Sequence, residues 1–280
     1  MRAGDDFLKK IFNLRGGQKL EVGGRTLVMG ILNVTPDSFS DGGRFFSTDM
    51  AAVHAAQLVE DGADIIDIGA ESTRPGATPI SADEEFARLE KILPLIKNFG
   101  VPISIDTYKP EVAAQSLELG ADIINDVRGL EDLRMIDVAK EFDVPVIAMH
   151  NEKCSDGDII GDLKKFFRRT IANCEAKGFD TTKVIFDPGI GFGKTSEDDL
   201  EILRRLDELK ILDGQEIFLM IGVSRKKIIG QVTGLPLYER DSATGALCVY
   251  EIVNGVDIVR VHNVAMISKM CLMTDKLLKE

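Results

Sequence analysis

Apolar residues along the chain fall into two alternating rhythms. Short β-branched runs are almost continuously hydrophobic, as parallel strands covered on both faces should be. Between them, apolar positions recur three and four apart, the spacing of amphipathic helices. Strands are predicted over Leu27–Asn33, Pro102–Asp106, Pro145–His150, Val184–Asp187 and Ile217–Val223. Three copies of one hexapeptide add three more: Gly62-Ala63-Asp64-Ile65-Ile66-Asp67, Gly120-Ala121-Asp122-Ile123-Ile124-Asn125 and Gly255-Val256-Asp257-Ile258-Val259-Arg260. Each copy opens on glycine after a helix-like stretch, where glycine commonly ends helices, and runs as a strand to a polar end. The copies are spaced as two and four βα units of about 30 residues.

Helices are predicted over Asp49–Glu60, Asp83–Phe99, Pro110–Leu119, Asp162–Lys177, Glu197–Leu209 and Ala243–Val253. Pro110 suits a first helical turn, where its missing N–H costs nothing. This alternation, without a linker, predicts an α/β fold: one (β/α)8 TIM barrel domain over residues 1–280, with an open doubly wound sheet as the alternative. Residues 1–26 precede the first strand. Gln18–Val22 and Arg25–Val28, around Gly23-Gly24, predict an N-terminal β-hairpin.

Charge narrows the partners. The 280 residues carry 34 Lys+Arg against 46 Asp+Glu, a net −12. That balance argues against nucleic acid, whose binding needs clustered cations. No apolar run approaches the roughly 20 residues of a membrane span. The start, Met1 to Asp6, is acidic where a secretory signal would be basic and then apolar. Cys154, Cys174, Cys248 and Cys271 are scattered without a CxxC pair, which fits a reducing compartment. The expectation is a cytoplasmic protein acting on small molecules.

In such barrels the chemistry sits at the C-terminal ends of the strands. In order, those ends carry Asn33, Asp67 with Glu71-Ser72-Thr73-Arg74, Asp106-Thr107, Asn125-Asp126, Met149-His150, Asp187-Pro188-Gly189, Ser224-Arg225-Lys226 and Arg260-Val261-His262-Asn263. Strand ends meet water and are often polar for that reason alone. Here, however, the later ends are cationic while the third, fourth and sixth are carboxylate or amide. A two-part ligand follows. Arg74, Arg225, Lys226, Arg260 and His262 can hold an anion, and Asp106, Asn125 and Asp187 can read the ring N–H and amino donors of a polar heterocycle, because ionised carboxylates only accept.

Gly189-Ile190-Gly191-Phe192-Gly193-Lys194-Thr195 has neither nucleotide-loop spacing, since Pro188 stands where a phosphate loop needs glycine. It reads as a tight turn near a ligand, with Phe192 as a cover. Asn33 to Gly43 lacks apolar periodicity and reads as a loop over the barrel mouth, with Phe39 poised between two serines. Among the histidines, His54 lies on an outer helix as a bystander and His150 is open to either role. His262 shares a strand face with Arg260 and is the functional candidate.

The segments Leu32–Gly43, Gly69–Gly76, Ser104–Asp106, Asn125–Asp126, Phe186–Lys194, Gly222–Lys226 and Arg260–Asn263 together resemble the dihydropteroate synthases. The resemblance implies a homodimeric TIM barrel that joins (7,8-dihydropterin-6-yl)methyl diphosphate to 4-aminobenzoate, with Mg2+ as cofactor, in folate synthesis and in competition with sulfonamides. It implies that Asp106, Asn125, Asp187 and Lys226 hold the pterin, with Gly222 lining the site and Arg260 packed over the ring. Asn33 is implied as the Mg2+ residue, with Arg74, Arg260 and His262 around the diphosphate. Phe39, Thr73, Pro75 and Phe192 match the aminobenzoate site. Asp41 matches a loop charge that steadies a cationic methylene, so Asp41, Lys226 and Arg260 form the implied catalytic set.

Two departures stand out. Asn151 to Asp156 replaces a glycine-containing loop of many relatives, and Lys227 stands where some have Ser or Thr. A pterin-dependent methyltransferase with a corrinoid partner is the nearest rival, but it needs no diphosphate site. A non-catalytic paralogue would be expected to lose Asp37, Asp41 or Arg74, and all three are present. A phosphosugar enzyme leaves Asp106, Asn125 and Asp187 unexplained.

Overall fold

A computed structural model of the chain describes residues 9–35, 48–72, 78–155 and 157–278. Its strands are β1 (Lys10–Asn13), β2 (Lys19–Val22), β3 (Leu27–Asn33), β4 (Ile65–Gly69), β5 (Ile103–Asp106), β6 (Ile123–Asp126), β7 (Val146–Met149), β8 (Val184–Asp187), a small hairpin of β9 (Ile211–Leu212) with β10 (Gln215–Glu216), β11 (Phe218–Ile221) and β12 (Ile258–Val261). The eight strands β3–β8, β11 and β12 close into a parallel barrel. Helices wrap it, among them Thr48–Glu60, Pro110–Glu118, Ile159–Ala176, Asp241–Val253 and Val264–Leu278. No helix of the described residues is long and apolar enough to cross a membrane.

The barrel and all eight predicted strands are present. Arg134–Phe142, Lys227–Thr233 and Val264–Leu278 are helices that the periodicity had not marked. The stretch expected as one helix over Asp83–Phe99 is two, Ala82–Leu89 and Leu93–Ile96. Pro94 explains the break, since it lacks an N–H and its ring excludes the carbonyl of residue 90. The hairpin also differs in its pairing. β2 pairs antiparallel with β1, Lys10 opposite Val22, across a turn at Arg15–Gly17 in which Gly16 and Gly17 adopt positive φ. The segment expected as its partner instead begins the barrel, Leu27 and Val28 pairing in parallel with Ile258 and Val259.

This hairpin seals the bottom of the barrel. Phe12, Leu14, Leu20 and Val22 join an interior cluster with Ile65, Ile123, Ile147, Ile185, Met220 and Ile258. Phe12 meets Phe218 edge-on at 5.9 Å between centroids. Because strand side chains alternate with period two, the residues two positions further along face the same interior. They are Asp67, Asn125, Met149, Asp187, Gly222 and Arg260. An apolar layer thus carries a polar layer directly above it.

The repeat has a second consequence at the opposite end. Its third residue is always Asp, and each one clamps the preceding strand. Asp64 accepts from the Val28 N–H at 2.9 Å, Asp122 from Ile103 at 3.0 Å and Asp257 from Leu219 at 2.7 Å. Each aspartate's own N–H donates to the carbonyl of that same residue. The strand-initiating donors are therefore satisfied at a place where a buried orphan N–H would be costly. Lys210 pairs with Asp257 in the interior, side chains 2% and 6% exposed, whereas Arg25 pairs with Asp64 at the surface, 50% and 18% exposed.

Asp257→Ala strands a buried ammonium and the Leu219 N–H, and is expected to cost about 3–5 kcal/mol of stability. Arg25→Ala removes the exposed pair and is expected to cost ~1 kcal/mol or less. Urea unfolding of both variants checks the ordering, and equal losses would contradict it.

Candidate active site

The polar layer forms the floor of the barrel mouth, and its members touch. Arg260 on β12 donates through Nε to Asp67 at 2.6 Å and through Nη2 to Asp106 at 2.7 Å. Asn125 on β6 donates through Nδ2 to both oxygens of Asp67, at 3.1 and 3.3 Å. Asp67 is fully buried and Asn125 nearly so. Gly69 makes room for this arrangement, since a Cβ there would stand 3.3 Å from that of Asp106. The remaining oxygen of Asp106, Oδ1, is buried without a hydrogen-bond partner among the described residues. Burial pushes the Asp106 carboxyl up to about 7, against the pull of Arg260 and with help from Asp67. The Arg260 guanidinium, between two carboxylates, is raised above its ordinary value despite its burial.

Asp187 completes the acceptor side at the end of β8. Its Oδ1 takes the Gly189 N–H at 2.7 Å, and burial raises it while Lys226 opposes the rise. Only glycine fits at 189, because φ is +67° and a Cβ would lie 2.1 Å from the carbonyl oxygen of His150. Lys226 reaches the floor from the turn after β11, just before the helix Lys227–Thr233, donating to the Ile190 carbonyl, with its Nζ 4.2 Å from the centroid of the Phe192 ring. Burial lowers Lys226 to about 8, with Asp187 resisting. Lys194 ties the same loop down by donating to the carbonyls of His150 and Phe192, both at 3.0 Å.

The rim is built from His262, whose Nδ1 lies 2.9 Å from Ser224 Oγ, and from Asn33 at the end of β3 in register with Gly69. Arg225 is turned aside, its guanidinium held by Asp241 at 2.6 and 2.8 Å. Lys227 is exposed at the start of its helix. His150 is buried edge-on against Phe166 at 5.3 Å and lowered to about 3 chiefly by burial, so it is a neutral packing group. Asp126 is structural too, closing its turn on the N–H groups of Arg128 and Leu130. Of the expected residues, the structure brings Asp106, Asn125, Asp187, Phe192, Gly222, Lys226, Arg260 and His262 to one mouth, with Asn33 at its edge. Phe39, Asp41, Thr73, Arg74 and Pro75 lie outside the described residues.

Known proteins share this chain's sequence and barrel. Residues 29–262 match the family described as pterin binding enzyme. Dihydropteroate synthase of Bacillus subtilis is 46% identical over 259 residues, covering 91% of this chain and 90% of the relative. Dihydropteroate synthase of Clostridium difficile, solved in the presence of pteroic acid, superposes with a TM-score of 0.88 at 44% identity, over 92% of this chain and 99% of that one. The Xanthomonas albilineans synthase with 4-aminobenzoic acid gives a TM-score of 0.90 at 34% identity, over 96% and 98%. The chain belongs to the dihydropteroate synthases, within the pterin binding enzymes.

Two members of this synthase mouth, Asp67 and Lys194, are not marked as site residues by the sequence alone. Asp67 was visible only as the polar end of a repeat, yet it is the common partner of Arg260 and Asn125. A signal existed: Asp67, Asn125 and Arg260 occupy the same sixth position of the three repeats. Lys194 had none, because its role depends on two backbone carbonyls from different loops.

Asp106 supplies a pH signature. In the folded chain it keeps its proton up to about pH 7, whereas the unfolded side chain releases it near its ordinary value. Folding therefore takes up a proton in that window, and this group's contribution to stability falls as pH rises from about 4 to 7. Asp106→Asn is expected to gain stability relative to the native chain between pH 5 and pH 8 in urea unfolding. A difference that does not change with pH would contradict the assignment.

Proposed function

We propose that this chain condenses (7,8-dihydropterin-6-yl)methyl diphosphate with 4-aminobenzoate, releasing diphosphate and 7,8-dihydropteroate for tetrahydrofolate synthesis. It is a transferase of the dihydropteroate synthase type. The observation that carries the site assignment is the buried Oδ1 of Asp106, which has no hydrogen-bond partner among the described residues and lies on the strand end in register with Asn125. A buried acceptor without a partner is expensive, and a ligand donor relieves it. A pterin edge offers ring N–H and amino donors to Asp106, Asn125 and Asp187. Each charge-assisted bond is worth about 1.5–3 kcal/mol.

The substitution is dissociative. The bond between the pterin methylene carbon and the diphosphate oxygen breaks, and its electron pair leaves with diphosphate. The electron-rich ring spreads the positive charge, and Asp41, which follows β3 in the sequence, steadies it. The arylamine nitrogen then forms the new C–N bond and loses its proton. Lys226 and Arg260 keep the ring in place, and Arg260, His262 and Arg74 counter the diphosphate charge as it develops, the electrostatic work expected of fixed cations. Phe192, held against Lys226, joins Phe39, Thr73 and Pro75 in shaping the aminobenzoate site. No side chain becomes covalently attached. Binding is ordered, diphosphate substrate first.

Asn33 offers a neutral amide oxygen at the end of β3, at the edge of the mouth. That donor set suits Mg2+, which takes few protein oxygens and completes its shell with substrate phosphate and water. Asn33 would hold the ion, which when bound supplies neutralising charge to the leaving diphosphate. A homodimer is supported by exposed apolar side chains on neighbouring helices, namely Tyr250, Val253, Leu272, Met273 and Leu277. Cytoplasmic work is supported by the free cysteines and the acidic chain.

The test is diphosphate release that requires both 4-aminobenzoate and Mg2+. Release without either, or none with a verified substrate, overturns the reading. In the same assay Arg260→Ala is expected to lower kcat/KM about a hundredfold or more, because it removes a fixed cation and leaves two buried carboxylates uncompensated. His54→Ala, on an outer helix, is expected to leave it unchanged.

A further inference from the structure

We propose that Asp67 is a positioning residue that sets the hydrogen-bond polarity of the pocket floor: it turns the Asn125 carbonyl toward the ligand and makes the site select a donor-bearing heterocycle edge. The inference rests on the pterin reading above and adds the residue that enforces its specificity.

Asp67 lies one layer above Ile65 inside the barrel and is fully buried. A carboxylate can only accept, so an amide packed against it must present its NH2. Both oxygens of Asp67 lie within 3.3 Å of Asn125 Nδ2, which leaves Oδ1 as the Asn125 atom for a ligand to meet. The reversed amide would put oxygen against oxygen in a dry interior, where such a clash is strongly felt. Asn125 would otherwise be ambivalent, an acceptor at one end and a donor at the other. Beside Asp67 it becomes an acceptor, and with Asp106 and Asp187 the floor gains a third.

The same carboxylate fixes Arg260. Its Nε is held by Asp67 and its Nη2 by Asp106, so the guanidinium is oriented from two sides and its other N–H groups remain for the ligand. Asp67 thereby joins the neutral reader and the cation of the mouth through one group that need not touch the ligand itself.

Asp67→Asn separates these roles. The oxygen shared by Arg260 Nε and Asn125 can stay in place, but the other carboxylate position, 3.3 Å from Asn125 Nδ2, becomes an NH2 that meets the Asn125 NH2 donor to donor. Asn125 then relaxes by turning its own oxygen inward and its NH2 to the pocket. The experiment measures binding of pterin and of lumazine, in which an oxygen replaces the 2-amino donor, by calorimetry on the native chain, on Asp67→Asn and on Ile65→Val. The native chain is expected to prefer pterin by about 10- to 100-fold, the scale of one buried acceptor left without its donor. Asp67→Asn is expected to lose most of that preference, chiefly through weaker pterin binding. Ile65→Val, which loosens the apolar layer beneath without altering polarity, is expected to keep the ratio.

An unchanged ratio in a folded Asp67→Asn overturns the inference alone. Failure of the native chain to bind pterin overturns the functional reading and this inference with it. Should Asp67→Asn not fold, side-chain amide NMR of the native chain decides. The Asn125 NH2 is expected to stay protected from exchange with and without pterin, and an NH2 that becomes protected only when pterin binds overturns the proposal.

Discussion

The Arg260 guanidinium donates to Asp67 through Nε and to Asp106 through Nη2, at the barrel mouth, where Asp67 is fully buried and Arg260 partly so. Each of these charges would be costly to bury alone, and an ion pair in such a place stands only when its other polar atoms are also satisfied. Asn125 supplies part of that satisfaction to Asp67, while Oδ1 of Asp106 is left without a partner among the described residues. The cluster is therefore complete on its inner side and incomplete toward the mouth. A ligand with matching donors finishes it, which is why structure and recognition cannot be separated here. Lys226, beside Asp187 and the Ile190 carbonyl, repeats the pattern on the far wall.

The two ends of the barrel use one repeat for two purposes. Asp64, Asp122 and Asp257 pair with the backbone of the preceding strand at the bottom, where polar satisfaction means stability. Asp67, Asn125 and Arg260, three residues later in each copy, meet one another at the top. This matches the general division of these barrels into a stability face and a chemistry face. The hairpin β1–β2 closes the stability face with Phe12, Leu14, Leu20 and Val22, so the layer of isoleucines beneath the polar floor stays dry. A dry floor is what keeps Asp106 high and Lys226 low.

Much of this was legible in the residues. Strands β3 and β8 run over the predicted bounds because both are apolar runs ending in one polar residue, a pattern that local chemistry dictates. The acceptor set and the cation of the floor, Asp106, Asn125, Asp187 and Arg260, were also readable, since the strand ends of a barrel converge wherever they fall in sequence. What was not legible depends on contacts between distant segments. Nothing local says that Lys19–Val22 should choose Lys10–Asn13 over Arg25–Val28; the choice follows from Leu27 and Val28 being claimed by β12. Arg225 looks free in sequence, and only the fold shows Asp241 taking it.

The central claim is that the floor holds a partly protonated carboxyl which a donor-bearing ligand forces into its ionised form. Isothermal calorimetry of pterin binding at pH 6.5, in buffers of different ionisation enthalpy, tests it most directly. At that pH Lys226 and Lys194, both near 8, stay cationic, and the same titration on Asp106→Asn separates the Asp106 proton from any contributed by His262 on the rim. With Asp106 near 7, binding is expected to release a large fraction of one proton per site, fading as the pH is raised past 8. Binding with no proton release at pH 6.5, or with uptake, would contradict the account.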